Sequence, residues 1–135
     1  MERVILDTAI LVATERGTFD PETMDPADPA VPAIALAEFR FGMLRMSSHA
    51  RRVQSAAFLE QLIDVLTVED YTLQVAEHHA ELLAHTREVG RPRGAHDLII
   101  AATARATNRT ILTLDHRAAF DDLPGVAVTA LPARS

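Results

Sequence analysis

The sequence predicts an α/β fold with three layers, α/β/α, around a central, mostly parallel sheet of about five strands. Short β-like runs alternate with longer helical segments, which is the pattern of a parallel sheet flanked by helices. The length of 135 residues suits one domain, which we place over residues 1–135. Hydrophobic residues make up 48% of the sequence and charged residues 24%, so the chain has enough apolar side chains for a core.

The first part of the chain predicts two strands around one helix. A short apolar run predicts a strand at Arg3–Leu6, and the following helix extends from about Ala9 to Arg16, where Gly17 ends it. The segment Phe19–Pro32 contains many Asp and Pro residues and predicts a loop. A short second strand is expected near its end, around Val31–Ile34.

The middle of the chain predicts a pair of helices and a third strand. One helix covers Leu36–Met46, and a second begins near Ser47 or Ser48 with apolar side chains at helical spacing. The third strand is expected at Val65–Val68. The two helices would therefore lie side by side before the chain returns to the sheet.

The last part of the chain predicts two more helices and two more strands. Asp70 is expected to cap a helix that Gly90 ends. The segment Ala95–Thr107 is nearly all apolar after its first turn and predicts a helix buried on most sides. A fourth strand follows at Thr110–Leu114. The remaining elements are a short helical turn at about Arg117–Phe120 and a fifth strand at Val126–Thr129.

Composition excludes several classes of protein. The chain has no cysteine, which rules out disulfides, thiolate zinc sites and cysteine nucleophiles. The apolar run at the N-terminus is too short for a signal peptide, and no stretch is long enough to span a membrane, so we expect a cytoplasmic protein. The net charge of −6 argues against a nucleic-acid binder, unless some of the acids form a cation site.

Four acidic residues are placed where parallel strands end. Asp7 directly follows the first strand, and Asp115 directly follows the fourth. Asp97 lies in the first turn of the apolar helix, and Glu38 lies near the start of the helix after the second strand. Because ligands of an open parallel sheet bind beyond the carboxyl ends of its strands, these four carboxylates are expected to converge there.

A cluster of carboxylates without histidine or cysteine ligands indicates a hard divalent cation, Mg²⁺ or Mn²⁺, rather than zinc. Such ions activate water for attack on a phosphodiester. Each acid also has an ordinary role to weigh. Asp97 would stabilise a helix start, Asp7 would open a turn or cap a helix, Glu38 would belong to a solvated helix face, and Asp115 would lie in a turn. The shared position of all four favours a joint site.

Other chemistry has less support in the sequence. No phosphate-binding glycine loop and no nucleophile-elbow motif occur. His78 and His79 are adjacent and face different directions on a helix, and His96 is expected to pack at a helix start. A phosphatase with an aspartate nucleophile would need a second aspartate where Ala9 stands.

Four stretches of the sequence carry a family pattern. They are Val-Ile-Leu-Asp-Thr at Val4–Thr8, Ala-Ile-Ala-Leu-Ala-Glu-Phe-Arg-Phe-Gly at Ala33–Gly42, Gly-Arg-Pro-Arg-Gly-Ala-His-Asp-Leu-Ile-Ile-Ala-Ala-Thr-Ala at Gly90–Ala104, and Leu-Thr-Leu-Asp at Leu112–Asp115. In order and spacing these stretches resemble the PIN-domain VapC toxins, and the resemblance spans almost the whole chain. The third stretch is the most specific.

The resemblance implies a PIN-like fold and RNA cleavage that depends on Mg²⁺ or Mn²⁺. By position, it implies that the metal-binding and catalytic acids are Asp7, Glu38, Asp97 and Asp115, with Thr8 and Thr113 as supporting polar residues. It further implies a homodimer and inhibition by a small VapB-like antitoxin. The candidates for contacts with RNA phosphates are Arg40, Arg91, Arg93 and Arg117.

The sequence departs from the family pattern near the expected site. Ala9 stands where such toxins usually carry Ser or Asn, and Ala35 stands where Thr is common. These departures leave open a second interpretation, a catalytically weak or inactive PIN-like module that binds an antitoxin or RNA. A DNA nuclease of the same broad fold is a further alternative, although such enzymes usually carry more acids and DNA-binding elements.

Overall fold

The computed structural model describes residues 3–20, 27–114 and 118–131. Five strands and five helices lie in these ranges. The strands are β1 (Arg3–Leu6), β2 (Ala27–Pro32), β3 (Thr67–Glu69), β4 (Thr110–Thr113) and β5 (Val128–Ala130). The helices are α1 (Thr8–Glu15), α2 (Ala33–Leu44), α3 (His49–Val65), α4 (Leu73–Val89) and α5 (Ala95–Thr107).

The strands form one parallel sheet in the order β3-β2-β1-β4-β5. The first strand of the chain is the central one, and Leu6 at its carboxyl end is in register with Leu112 of β4. The α/β fold with a parallel sheet of five strands is therefore confirmed. Because all the strands run the same way, the residues that follow β1 and β4 lie at the same end of the sheet, which we call the carboxyl end.

The sheet has an apolar core on each face. Side chains alternate along a strand, so Ile5 and Ile111 face one layer while Leu6 and Leu112 face the other. The first layer is formed by α4 and α5, and the second by α1, α2 and α3. Burial on both faces explains why the inner positions of the central strands, Val4–Leu6 and Ile111–Leu112, are apolar without alternation.

Two elements have the bounds that the sequence predicts. The first is β1 at Arg3–Leu6 and the second is α5 at Ala95–Thr107. Gly90 ends α4 in the left-handed conformation as expected, with φ 68°. The predicted strand at Thr110–Leu114 is one residue shorter in the structure.

The prediction for β2 was wrong in position. We expected a strand around Val31–Ile34 after a loop, but the strand is Ala27–Pro32 and α2 begins at Ala33. Two prolines within the strand concealed it, because proline is unusual in a strand with neighbours on both sides. Pairing with β1 and β3 overrides that preference.

Two smaller predictions also needed correction. Asp70 does not cap α4, because Thr72 is the N-cap residue and accepts a hydrogen bond from the amide of Val75. The short helical turn lies at Phe120–Asp122, later than expected. The third and fifth strands each begin two residues after their predicted starts. Among the helices that the structure describes, none is long and apolar enough to cross a membrane.

Candidate functional site

Asp7 lies between the last residue of β1 and the first turn of α1, and it is only 3% exposed. Its Oδ1 accepts a hydrogen bond from the amide of Ile10 at 3.1 Å, so the side chain caps α1. Its Oδ2 accepts a hydrogen bond from the hydroxyl of Thr113, the last residue of β4. The carboxylate is therefore held by the first turn of α1 and by the last residue of β4.

Glu38 lies one and a half turns into α2 and is partly buried, with a side chain 33% exposed. Its Oε1 accepts a hydrogen bond of 2.7 Å from the hydroxyl of Thr8. Its Oε2 lies 3.2 Å from Nδ1 of His96, in the first turn of α5. Because Thr8 directly follows Asp7 in the chain, the carboxylate of Glu38 is brought to the carboxyl end of the sheet.

Asp97 is half-buried in the first turn of α5, where the helix dipole and exposed amides favour a carboxylate. A side chain at Gly94 would have its Cβ only 3.0 Å from Oδ2 of Asp97. The glycine therefore leaves room for this carboxylate at the start of the helix. The fourth expected acid, Asp115, lies outside the described residues, as does Arg117.

The described residues thus form a connected group at the carboxyl end of the sheet. Contacts link Asp7 to Thr113, Thr8 to Glu38, and Glu38 to His96. Within residues 3–20, 27–114 and 118–131, no three acidic or histidine side chains come close enough to form a metal site by themselves. In its donor chemistry the group fits a hard cation, because the carboxylates supply anionic oxygens that hydrogen bonds already orient.

The candidate arginines have very different environments. Arg40 is exposed on α2, and Arg91 is 71% exposed and lies 3.3 Å from Asp122. The side chain of Arg93 is only 11% exposed. Its Nη1 donates to the carbonyl oxygens of Ala118 and Ala119 at 2.7 and 2.8 Å. Arg93 therefore holds the chain after β4 against the segment before α5.

A mostly apolar groove of about 300 Å³ runs between α2 and α5. Its lining residues are Ala33, Ile34, Ala37, Glu69, Tyr71, Ile99 and Thr103. The ring of Tyr71 is half exposed, and its hydroxyl lies 2.9 Å from Nδ1 of His79.

Sequence reasoning missed one residue of this group. His96 was expected to pack at a helix start, but its side chain is 55% exposed and lies against Glu38. The sequence did contain one indication that His96 belongs to this group. His96 directly precedes Asp97, in the first turn of a helix that begins at the carboxyl end of the sheet. The contact itself depends on how α2 and α5 pack, which no local pattern determines.

Comparison with known proteins gives likenesses that extend over nearly the whole chain. A family model described as PIN domain matches residues 4–126. Ribonuclease VapC5 of Mycobacterium tuberculosis is 35% identical over 127 residues, which cover 92% of this chain and 92% of the relative. Ribonuclease VapC of Rickettsia bellii is 31% identical over 130 residues, which cover 96% of each chain.

A solved structure has a similar backbone. The crystal structure of a member of the VapBC family of toxin-antitoxin systems, VapBC-5, from Mycobacterium tuberculosis contains a chain that superposes with a TM-score of 0.80 at 29% identity. The superposition covers 97% of this chain and 100% of that chain. Sequence and structure comparisons therefore point to the same family.

Proposed function

The chain belongs to the PIN-domain family, in its VapC ribonuclease branch, and we propose that it is a metal-dependent endoribonuclease, the toxin component of a type II toxin–antitoxin pair. The observation that carries the proposal is the arrangement of Asp7 and Glu38. Their carboxylates come from different elements, lie at the carboxyl end of the sheet and are oriented by hydroxyl donors from Thr113 and Thr8. This is where an α/β sheet binds its ligands.

The residues that would hold Mg²⁺ or Mn²⁺ are Asp7, Glu38, Asp97 and Asp115. When bound, such a cation makes a water molecule a better nucleophile toward the phosphodiester and offsets the negative charge that develops on the leaving oxygen. The proposal for Asp115 rests on its position after β4 in the sequence and on the family resemblance.

The supporting residues would fix the direction of the acids. Thr113 and the amide of Ile10 hold the two oxygens of Asp7, and Thr8 holds one oxygen of Glu38. A carboxylate whose oxygens are already oriented loses little conformational freedom when a cation or substrate arrives. Thr8 and Thr113 are therefore proposed as positioning residues.

Substrate binding in this proposal uses arginines. Arg40 is exposed, Arg91 is exposed and lies 3.3 Å from Asp122, and Arg117 is a third candidate from the sequence. Arg93 is also proposed as an RNA contact, although its described hydrogen bonds go to backbone carbonyls. The net charge of −6 is consistent with this proposal if cations offset the acids of the site.

The relatives suggest the partners. The solved VapBC-5 structure is described as a member of a toxin-antitoxin system, and we propose that a VapB-like antitoxin inhibits this chain. The mostly apolar groove between α2 and α5 would suit an apolar segment of such a partner. We also propose a homodimer that acts in the cytoplasm.

The proposal is tested by cleavage of a total-RNA pool with purified protein and Mg²⁺ or Mn²⁺, with EDTA as the metal-free control. The variants Asp7→Asn and Glu38→Gln remove one charge each and are expected to abolish cleavage. Matched controls are Asp64→Asn and Glu60→Gln, which change exposed acids of α3 away from the site. The controls are expected to cleave like the parent.

Two results would overturn the catalytic proposal. One is the absence of cleavage with either metal, and the other is equal cleavage by the parent and the site variants. Either result, combined with tight binding of an antitoxin, would favour the alternative of an inactive PIN-like module, which the alanines at positions 9 and 35 motivate.

A further inference from the structure

A cavity of about 410 Å³ lies where the end of α4 meets the helical turn at Phe120–Asp122. We call this cavity the α4 pocket. Its volume falls within the range of small-ligand sites, roughly 300–1,000 Å³. The side chains that line it include His85, Val89, Arg91, Arg93, Asp122 and Leu123.

Three charged side chains meet at one wall of the α4 pocket. Oδ2 of Asp122 lies 3.3 Å from Nη1 of Arg91 and 3.6 Å from Nη2 of Arg93. Within the part of the chain that the structure describes, no side-chain contact of Asp122 involves Oδ1. Nη1 of Arg93 donates to the carbonyls of Ala118 and Ala119, which hold the guanidinium in place. The wall therefore presents a carboxylate oxygen beside guanidinium donors.

The other walls of the α4 pocket suit a flat ring. Leu123 is buried, and Val89 is 50% exposed. The imidazole of His85 is partly buried and adds an aromatic surface. Unstacked bases of RNA bind proteins by stacking on aromatic rings or guanidinium planes and by hydrogen bonds along their edges. The pocket offers both kinds of contact.

The α4 pocket adjoins the candidate site through the segment before α5. Arg93 of the pocket directly precedes Gly94, and a Cβ at Gly94 would lie 3.0 Å from Oδ2 of Asp97. Gly94 therefore joins a wall of the pocket to one of the acids proposed to bind the cation. An RNA strand bound at those acids places a neighbouring nucleotide toward the pocket.

The charges of the wall decide which part of a nucleotide fits. A phosphate is repelled by the carboxylate of Asp122, whereas a base that has both donors and acceptors can meet the carboxylate and the guanidinium groups together. Guanine has two adjacent donors, N1–H and the 2-amino group, which match the two oxygens of a carboxylate. Its O6 and N7 accept from arginine. Adenine, cytosine and uracil lack the pair of adjacent donors.

We propose that the α4 pocket binds a guanine base of the RNA substrate. Asp122 accepts hydrogen bonds from N1–H and the 2-amino group, and Arg91 donates to O6 and N7. This inference rests on the proposed function, since it names the base that the same enzyme selects beside its cleavage site. Cleavage then depends on a guanosine close to the scissile bond.

The direct test compares guanosine 5′-monophosphate (GMP) with inosine 5′-monophosphate (IMP), which lacks only the 2-amino group. Titrations followed by ¹H–¹⁵N NMR in EDTA require neither a metal ion nor cleavage. We expect the parent to bind GMP about tenfold more tightly than IMP, the scale of discrimination by one good pair of base contacts. The amide signals of Arg91 and Asp122 are expected to shift.

A variant tests whether the carboxylate of Asp122 makes this distinction. Asp122→Ala is expected to bind GMP and IMP with affinities that differ by less than about twofold, because the acceptor of the 2-amino group is gone. The matched control is Asp121→Ala, which removes an exposed acid from the same helical turn. The control is expected to keep the preference of the parent.

A second arm distinguishes RNA from a free nucleotide. Two short oligouridylates, one with a single central guanosine and one with inosine in its place, are titrated in EDTA in the same way. We expect a preference of about tenfold for the guanosine oligonucleotide. With Mn²⁺ present, the cuts in RNA are expected at a fixed distance from guanosine.

The outcomes separate this inference from the proposed function. Equal binding of GMP and IMP by the parent, or a preference that Asp122→Ala retains, overturns the guanine pocket even if RNA is cleaved. A preference for GMP that the oligonucleotides do not show overturns the assignment to RNA. A guanine preference in both arms, in a protein that cleaves no RNA, supports the pocket and overturns the nuclease.

Discussion

The acids at the two ends of the sheet have different kinds of partner. At the amino end, next to β4, the guanidinium of Arg109 is 1% exposed and lies 2.9 Å from the carboxylate of Asp28, which Arg3 and Thr67 also contact. At the carboxyl end, the hydrogen bonds described for Asp7 come from a hydroxyl and a backbone amide.

The difference indicates what each end does. Arginine is permanently charged, so the charge of Asp28 is compensated by the protein itself, and Arg109 also donates to the backbone carbonyls of Val4 and Asp28. The hydrogen bonds described for Asp7 orient its carboxylate, and Glu38 at the same end lies against His96. A buried permanent charge therefore stabilises the amino end, whereas the contacts described at the carboxyl end orient the carboxylates.

The largest effect is expected from the buried cation of the amino end. Arg109→Met would remove the donor to two backbone carbonyls and one of the partners of Asp28, and it is expected to lower the free energy of unfolding by about 3 kcal/mol. Urea unfolding measures this loss. The control Arg3→Met removes an arginine that is 47% exposed and is expected to cost less than about 1 kcal/mol. Equal losses in the free energy of unfolding for Arg109→Met and Arg3→Met would contradict a special role for the buried arginine.

Arg93 lies nearer the candidate site, but it donates to backbone carbonyls as Arg109 does. We therefore expect Arg93 to contribute mainly to stability. Arg93→Met removes hydrogen bonds to the carbonyls of Ala118 and Ala119 and is expected to cost about 2 kcal/mol in urea unfolding. Arg91→Met, at a side chain 71% exposed, is expected to change stability by less than about 0.5 kcal/mol. A raised KM for RNA in Arg93→Met, with unchanged stability, would instead favour a substrate contact.

A smaller effect is expected from Asp7→Asn in EDTA. Asparagine caps helices as well as aspartate does, and its amide can donate to the hydroxyl of Thr113. The free energy of unfolding is therefore expected to change by less than about 1 kcal/mol. Excess Mn²⁺ should raise the melting temperature of the parent and not that of the variant. A large decrease in the free energy of unfolding of Asp7→Asn in EDTA would mean that the carboxylate of Asp7 also stabilises the fold.

The smallest effect concerns pH. The hydrogen bond from Arg109 holds the pKa of Asp28 below its ordinary value of 3.8, and the hydrogen bond from Thr67 acts in the same direction. A lowered pKa in the folded state means that the contribution of Asp28 is complete above the ordinary value and is lost as the pH falls through the folded value. The stability difference between the parent and Asp28→Asn should therefore shrink below pH 3.8. A difference that is constant with pH would contradict this.

Local patterns were enough for some elements of the fold. The strand β1 is a short apolar run with polar residues at both ends, and α5 begins after Gly94 and ends at Asn108, which adopts a left-handed conformation with φ 54°. The carboxyl ends of the predicted strands also indicated where the acidic side chains, such as Asp7, would lie. These features depend on neighbours in the sequence, and the sequence shows them directly.

Other features depend on distant contacts. Most of strand β2 was predicted as a loop, because it contains two prolines and its pairing with β1 and β3 cannot be seen locally. Arg109 gave no signal as a buried residue, since its partners Val4 and Asp28 are far away in the chain. The contact between His96 and Glu38 depends on the packing of α2 against α5, for the same reason.

The strand order also sets when the site can form during synthesis. The central strand β1 is made first, but its neighbour β4 comes from the last part of the chain, and the bond between Asp7 and Thr113 spans 106 residues. Contacts so distant in sequence form late in folding. The two halves of the site can therefore meet only after β4 has been made, and a growing chain that has not reached Thr113 lacks this contact.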